Sequence, residues 1–154
     1  MFGRYLLLCM IAVRAVAADF IVYTSHEREW WGQKQSSWKI FDDYPSCHTV
    51  KAAKSYKESV DVSKRIGVRC KGEGCNGYGP IEELEMHFSS HPLIHLTMYR
   101  DRDFGLYGTD DKKKGSCWLS EADSLDCEKT LWSNSGYQKM ECTYELSVEE
   151  IQKL

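Results

Sequence analysis

Glu85, His87 and His95 are the side chains whose types and spacing could move protons. Leu84, Met86 and Phe88 alternate with Glu83, Glu85 and His87, and Ile94, Leu96 and Met98 alternate with His95, Thr97 and Tyr99. A period of two on either side of Ser89–Pro92 predicts a β-hairpin. Apolar residues must face apolar residues across the pair, which sets Phe88 against Ile94, Met86 against Leu96 and Leu84 against Met98. The other face then holds His87 opposite His95, Glu85 opposite Thr97 and Glu83 opposite Tyr99, with directly opposed Cβ atoms about 4.5–5.5 Å apart. Two imidazoles beside a carboxylate can act as paired general acid and base. With His91 in the turn, His87 and His95 could instead ligate a metal. The plainer reading is an ordinary solvated polar face, so no metal or cofactor is expected.

Other catalytic patterns are missing from the sequence. It contains no G-x-S-x-G elbow, phosphate-binding glycine loop or H-E-x-x-H. Ser25-His26-Glu27 has triad residue types, but sequence neighbours cannot converge as a triad does. Two features suit binding better than turnover. Trp30 and Trp31 are adjacent, so on a strand one would stay exposed; either one packs while the other lids a loop, or they anchor a partner or a sugar ring. Lys51, Lys54 and Lys57 would form a basic stripe on a helix, either a solvated face or a surface for an anionic partner.

Several elements must position these residues. Phe20–Thr24 and Ser37–Phe41 read as the first two strands, with a polar link over 25–36. Ser46 reads as the N-cap of the main helix, whose apolar face is Cys47, Val50, Ala53, Tyr56 and Val60. Strands are expected at 66–70, 104–107, 116–119 and 138–146, with an exposed turn at 109–115. Ser120 with Asp123, and Ser147 with Glu150, resemble capping boxes for short helices. Alternating β and α units are absent. The expected fold class is therefore α+β: a mainly antiparallel sheet packed by one principal helix and stabilised by disulfides.

The chain has 154 residues, 20 basic and 23 acidic, with a formal charge of −3. That is one domain's length, and the charge argues against general nucleic-acid binding. Arg4, the apolar run 5–13 and the small residues Ala15 and Ala17 read as a secretory signal peptide over 1–17. A single secreted domain over 18–154 is expected, with no membrane span after cleavage. Removing Arg4 and Arg14 would leave it more acidic. Cys47, Cys70, Cys75, Cys117, Cys127 and Cys142 would remain, an even set in an oxidising compartment. This predicts three disulfides whose pairing the sequence leaves open. Zinc bound by Cys70, Cys75 and histidines is the alternative.

Signal peptide, six mature cysteines, many aromatics and no enzyme motif together resemble a small secreted cysteine-rich fungal effector. The resemblance covers the whole chain as a class profile. It implies an extracellular protein, delivered into a host in some members, that binds host proteins at the host–pathogen interface. Neither an Arg-x-Leu-Arg motif nor an aromatic-x-Cys motif follows the signal peptide. A helix followed by an antiparallel sheet also resembles the small fungal guanyl-specific ribonucleases in topology, without their motif residues. It implies a secreted ribonuclease-like enzyme or toxin as the alternative, and a carbohydrate- or ligand-binding module is a third.

Overall fold

The computed structural model describes residues 18–120 and 123–154. The signal peptide expected over 1–17 lies outside them. Nine strands make one antiparallel sheet: β1 (Ala18–Glu29), β2 (Lys34–Phe41), β3 (Gly67–Lys71), β4 (Glu83–His87), β5 (His95–Tyr99), β6 (Gly105–Gly108), β7 (Lys113–Leu119), β8 (Ser124–Lys129) and β9 (Trp132–Tyr144). The described residues also hold two short α-helices, α1 (Cys47–Ala52) and α2 (Val148–Lys153). The strand order is β2-β1-β9-β7-β6-β5-β4-β3, with β8 paired to β9 as well.

This sheet curls into a nearly closed barrel, which corrects the expected α+β class with its principal helix. The reason lies in residues 53–59. Ser46 does cap α1 through a reciprocal box with Thr49, but Ala53 is already extended and the helix ends. Tyr56 then exchanges two 2.8 Å backbone hydrogen bonds with Trp38 on β2. Val68 on β3 donates to the Lys57 carbonyl at 2.9 Å, and Ser59 donates to the Val68 carbonyl at 2.9 Å. The segment therefore spans the gap between the two outermost strands, where a helix would have left both edges unsatisfied. Val60, expected on the apolar helix face, is 94% exposed.

A closed sheet supplies its own second layer, so the core needs no helical cover. Phe20, Val22, Trp38, Ile40, Tyr56, Leu84, Met86, Leu96, Met98, Leu106 and Met140 fill the interior. The 84–98 hairpin has the register expected from its alternation, His87 opposite His95 included. The three disulfides are Cys47–Cys127, Cys70–Cys75 and Cys117–Cys142.

Strands β1, β2 and β9 are longer than the sequence suggested and run past the barrel rim. Along β9, residues 140–143 pair with β7 and residues 132–137 pair with β8. β8 replaces the helix expected after Ser120, whose capping box extends into residues outside the described ones. The four strands β2-β1-β9-β8 thus form an arm that projects from the barrel. A register shift beside Val22 and Tyr23 marks the departure point. Gly136 is needed close by, because a Cβ there would stand 2.0 Å from the Thr24 carbonyl oxygen. One face of the arm is covered: α1 lays Val50 over Ile21, Tyr23, Phe41, Leu125 and Trp132. The Ser147–Glu150 box caps α2 as expected.

Candidate functional site

The outer wall of the barrel gathers the acid–base residues. The imidazoles of His87 and His95 stack with centroids 4.5 Å apart and planes 7° off parallel. His95 Nε2 lies 2.7 Å from Glu85 Oε1, and Arg69 Nε donates to Glu85 Oε2 at 2.7 Å. Arg69 also pairs with Glu83, which accepts from Lys71 Nζ at 3.1 Å. His87 Nδ1 donates to the Val62 carbonyl at 2.7 Å and so pins the 59–66 loop onto the wall. Burial alone would raise the Glu85 pKa, but hydrogen bonds from His95 and Arg69 hold it below the ordinary carboxylate value. Burial likewise opposes the Arg69 charge, and the two glutamates restore it.

Alternation alone found Glu85, His87 and His95; Arg69 was missed because its strand lies one hairpin earlier. Glu85 and His95 side chains are only 12% and 13% exposed, and both Glu85 oxygens and one nitrogen of each imidazole already have partners within the protein. His91 is used elsewhere, its Nδ1 accepting from Leu93 N at 3.3 Å in the turn that follows. Among the described residues no three His, Cys, Asp or Glu gather as a metal site would require.

The lysine stripe does not form, because the helix that would align it ends at Ala52. Lys51 instead lies over the Trp132 ring at 5.8 Å. Lys54 reaches the Phe88 carbonyl at 3.5 Å, and Lys57 sits on the closing segment between β2 and β3.

The tip of the arm gathers three exposed apolar side chains. Trp30 and Trp31 occupy the β1–β2 turn, 68% and 57% exposed, with rings edge to face 5.6 Å apart. The Trp30 amide donates to the Leu131 carbonyl at 3.2 Å, which ties this turn to the β8–β9 turn. Leu131 is itself 60% exposed. Trp30 and Leu131 border one open concavity with Arg28, Lys34, Glu128 and Ser133, while Trp31 borders another with Gln35, Lys57 and Glu58. Leu131 was not singled out in sequence, since a lone leucine between polar residues carries no periodicity.

Beneath α1 the arm is rigid. Lys39 is 2% exposed and donates to Glu27 Oε1, to the Val50 carbonyl (both 2.8 Å) and to the Ala53 carbonyl, closing the helix C-terminus. Asn134 Nδ2 donates to Ser25 Oγ at 2.7 Å and to Glu27 Oε1 at 3.1 Å. A fixed platform thus carries bare aromatic side chains at its tip, an arrangement suited to gripping another surface. No family model, curated protein or solved structure matches the chain.

Proposed function

We propose that this chain is a secreted binding protein of the effector kind, which acts by engaging a host protein with the tip of its arm. The exposed Trp30, Trp31 and Leu131 cluster supports the reading. Burying large aromatic side chains on a rigid support is how protein interfaces concentrate their affinity, and monomeric proteins rarely leave such groups clustered in water. The disulfides and the absence of any long apolar helix among the described residues are consistent with an extracellular protein. The His87–His95–Glu85 cluster supports a structural role, because the Glu85 carboxylate is held by Arg69 and His95 and His87 is tied to the Val62 carbonyl.

The test compares wild type with the Trp30→Ala/Trp31→Ala and His87→Ala/His95→Ala variants, applied as purified protein to host tissue. Circular dichroism verifies that each is folded. The tryptophan variant is expected to lose the biological response, and the histidine variant to keep most of it. The opposite pattern, joined by RNA cleavage by the wild type, replaces binding with a ribonuclease-like activity.

A further inference from the structure

Basic residues stand side by side at two places in the chain: Lys64-Arg65, its one Lys-Arg pair, and Lys112-Lys113-Lys114. The fold treats the two differently. Lys113 pairs with Tyr107 across β6 and β7, the Lys112 carbonyl accepts from Gly108 N at 3.1 Å, and Lys114 Nζ donates to Asp110 at 3.1 Å. That run is built into a hairpin. Lys64 and Arg65 lie instead in the 60–66 loop, between the segment that closes the barrel and β3. Among the described residues the loop's one backbone hydrogen bond is internal, from Arg65 N to the Val62 carbonyl at 3.3 Å, and none reaches a strand. Val60, Lys64, Arg65 and Ile66 are all exposed. The ion pairs among the described residues use neither Lys64 nor Arg65. Val62 is the anchor: its side chain is fully buried and its carbonyl accepts from His87 Nδ1 at 2.7 Å.

We propose that the Arg65–Ile66 peptide bond is a processing site, cut by a serine endoprotease specific for basic pairs as the chain is exported. Water adds across the bond and leaves a carboxylate on Arg65 and an ammonium on Ile66. Such an enzyme takes the two cations in carboxylate-lined pockets and needs several residues around the bond in extended form. Exposed polar loops are where folded chains are nicked. The stretch between Val62 and Gly67 is too short to reach into a protease cleft while both ends are held, so Val62 must first let go. That local opening breaks the His87 bond and exposes one valine, far less than unfolding the barrel requires. His87 is thus the latch of the loop, a positioning residue that sets how fast the cut is made. Cys47 lies before the cut and Cys127 after it, so the pieces 18–65 and 66–154 stay covalently joined. β1 of the first piece also stays paired to β9 of the second. The product is a two-chain protein that keeps both barrel and arm. The proposal shares the secreted location with the reading above and requires nothing of the host partner.

The test secretes the full chain from a eukaryotic host with and without its basic-pair endoprotease, then digests the uncut, oxidised protein with the purified enzyme. The cut protein is expected to run as one band without reductant and as two with it, the larger beginning Ile66-Gly67-Val68. Lys64→Ala/Arg65→Ala changes only exposed side chains and is expected to stay whole. His87→Ala is expected to be cut about fivefold faster, the effect of one lost hydrogen bond on the opened population. Tyr144→Phe, which removes a hydrogen bond to the Leu93 carbonyl away from the loop, is expected to be cut at the wild-type rate. Wild type that stays whole with the enzyme present overturns the proposal, as does a first cut at Lys112–Lys114. A His87→Ala rate equal to wild type, or an equal acceleration by Tyr144→Phe, overturns the latch. The host response to the tryptophan variant is measured on other residues, so the two readings fail separately.

Discussion

The barrel and the arm share β1 and β9 yet solve opposite problems. In the barrel each strand edge is paired, the last gap being bridged by Tyr56–Ser59, and the core is apolar but for the hydroxyls of Tyr56 and Tyr144. In the arm, β8 and the outer end of β2 keep open edges, one face is polar and bare, and the other is held down by a six-residue helix. The barrel is stable because it closes. The arm is stable because α1 is clamped onto it covalently by Cys47–Cys127 and electrostatically by Lys39. Binding surface is available where closure was given up.

The sharpest way to break the comparison is to remove that clamp. The Cys47–Cys127 bridge closes a loop of 80 residues, for which chain entropy gives about 4.5 kcal/mol, against about 2 kcal/mol for the five-residue Cys70–Cys75 loop. Cys47→Ala/Cys127→Ala is expected to raise amide exchange across β8, α1 and the outer ends of β1 and β2, leaving β4 and β5 protected. Uniform loss of protection would show that arm and barrel are one cooperative unit. Lys39→Ala is expected to cost about 3 kcal/mol, because it strands the α1 carbonyls and Glu27 beneath the helix; chemical denaturation measures it. Lys39→Met, keeping the aliphatic stem, is expected to recover only part.

At the tip the expectation inverts. Trp31→Ala should change stability by less than about 0.5 kcal/mol, as at other exposed positions, while costing about 2 kcal/mol of partner affinity if it is a hot spot. On the barrel wall, Glu85→Gln is expected to cost about 1–2 kcal/mol at neutral pH through its charged hydrogen bonds. The folded-state pKa of Glu85 is lowered, so its contribution is full above the ordinary value of 4.5 and fades as pH falls through the lowered one. Thermal melts of the variant should therefore lose part of the wild type's acid sensitivity; an unchanged pH profile would remove Glu85 from the ion network.

These two regions also differed in how legible they were. The 84–98 hairpin could be read to the register because its strands alternate strictly and one face is buried. The helix over 47–60 could not, because its apolar spacing serves two environments. Val50 packs under α1 against the arm, whereas Tyr56 enters the barrel from an extended segment. Helical periodicity records which residues are buried, not that they share one core. β8 was invisible because Leu125 and Cys127 are its only apolar residues, and Ser120 with Asp123 mimicked a cap. Trp30 and Trp31 were readable as a possible binding pair, but the exposure of both follows from strands long enough to push their turn clear of the barrel.

Mechanical consequences follow from the way β9 is shared. Its partner on one side changes from β8 to β7 midway, while β1 runs beside it on the other. A load applied at the tip travels along β9 in shear rather than unzipping one hydrogen bond at a time. Any tear that does open between β9 and its neighbours in the arm runs toward the rim. There Cys117 and Cys142, directly opposed on β7 and β9 and covalently joined, act as a rivet. A tear begun in the arm is thus arrested at the rim, while a load borne in shear is handed by β9 to the barrel wall.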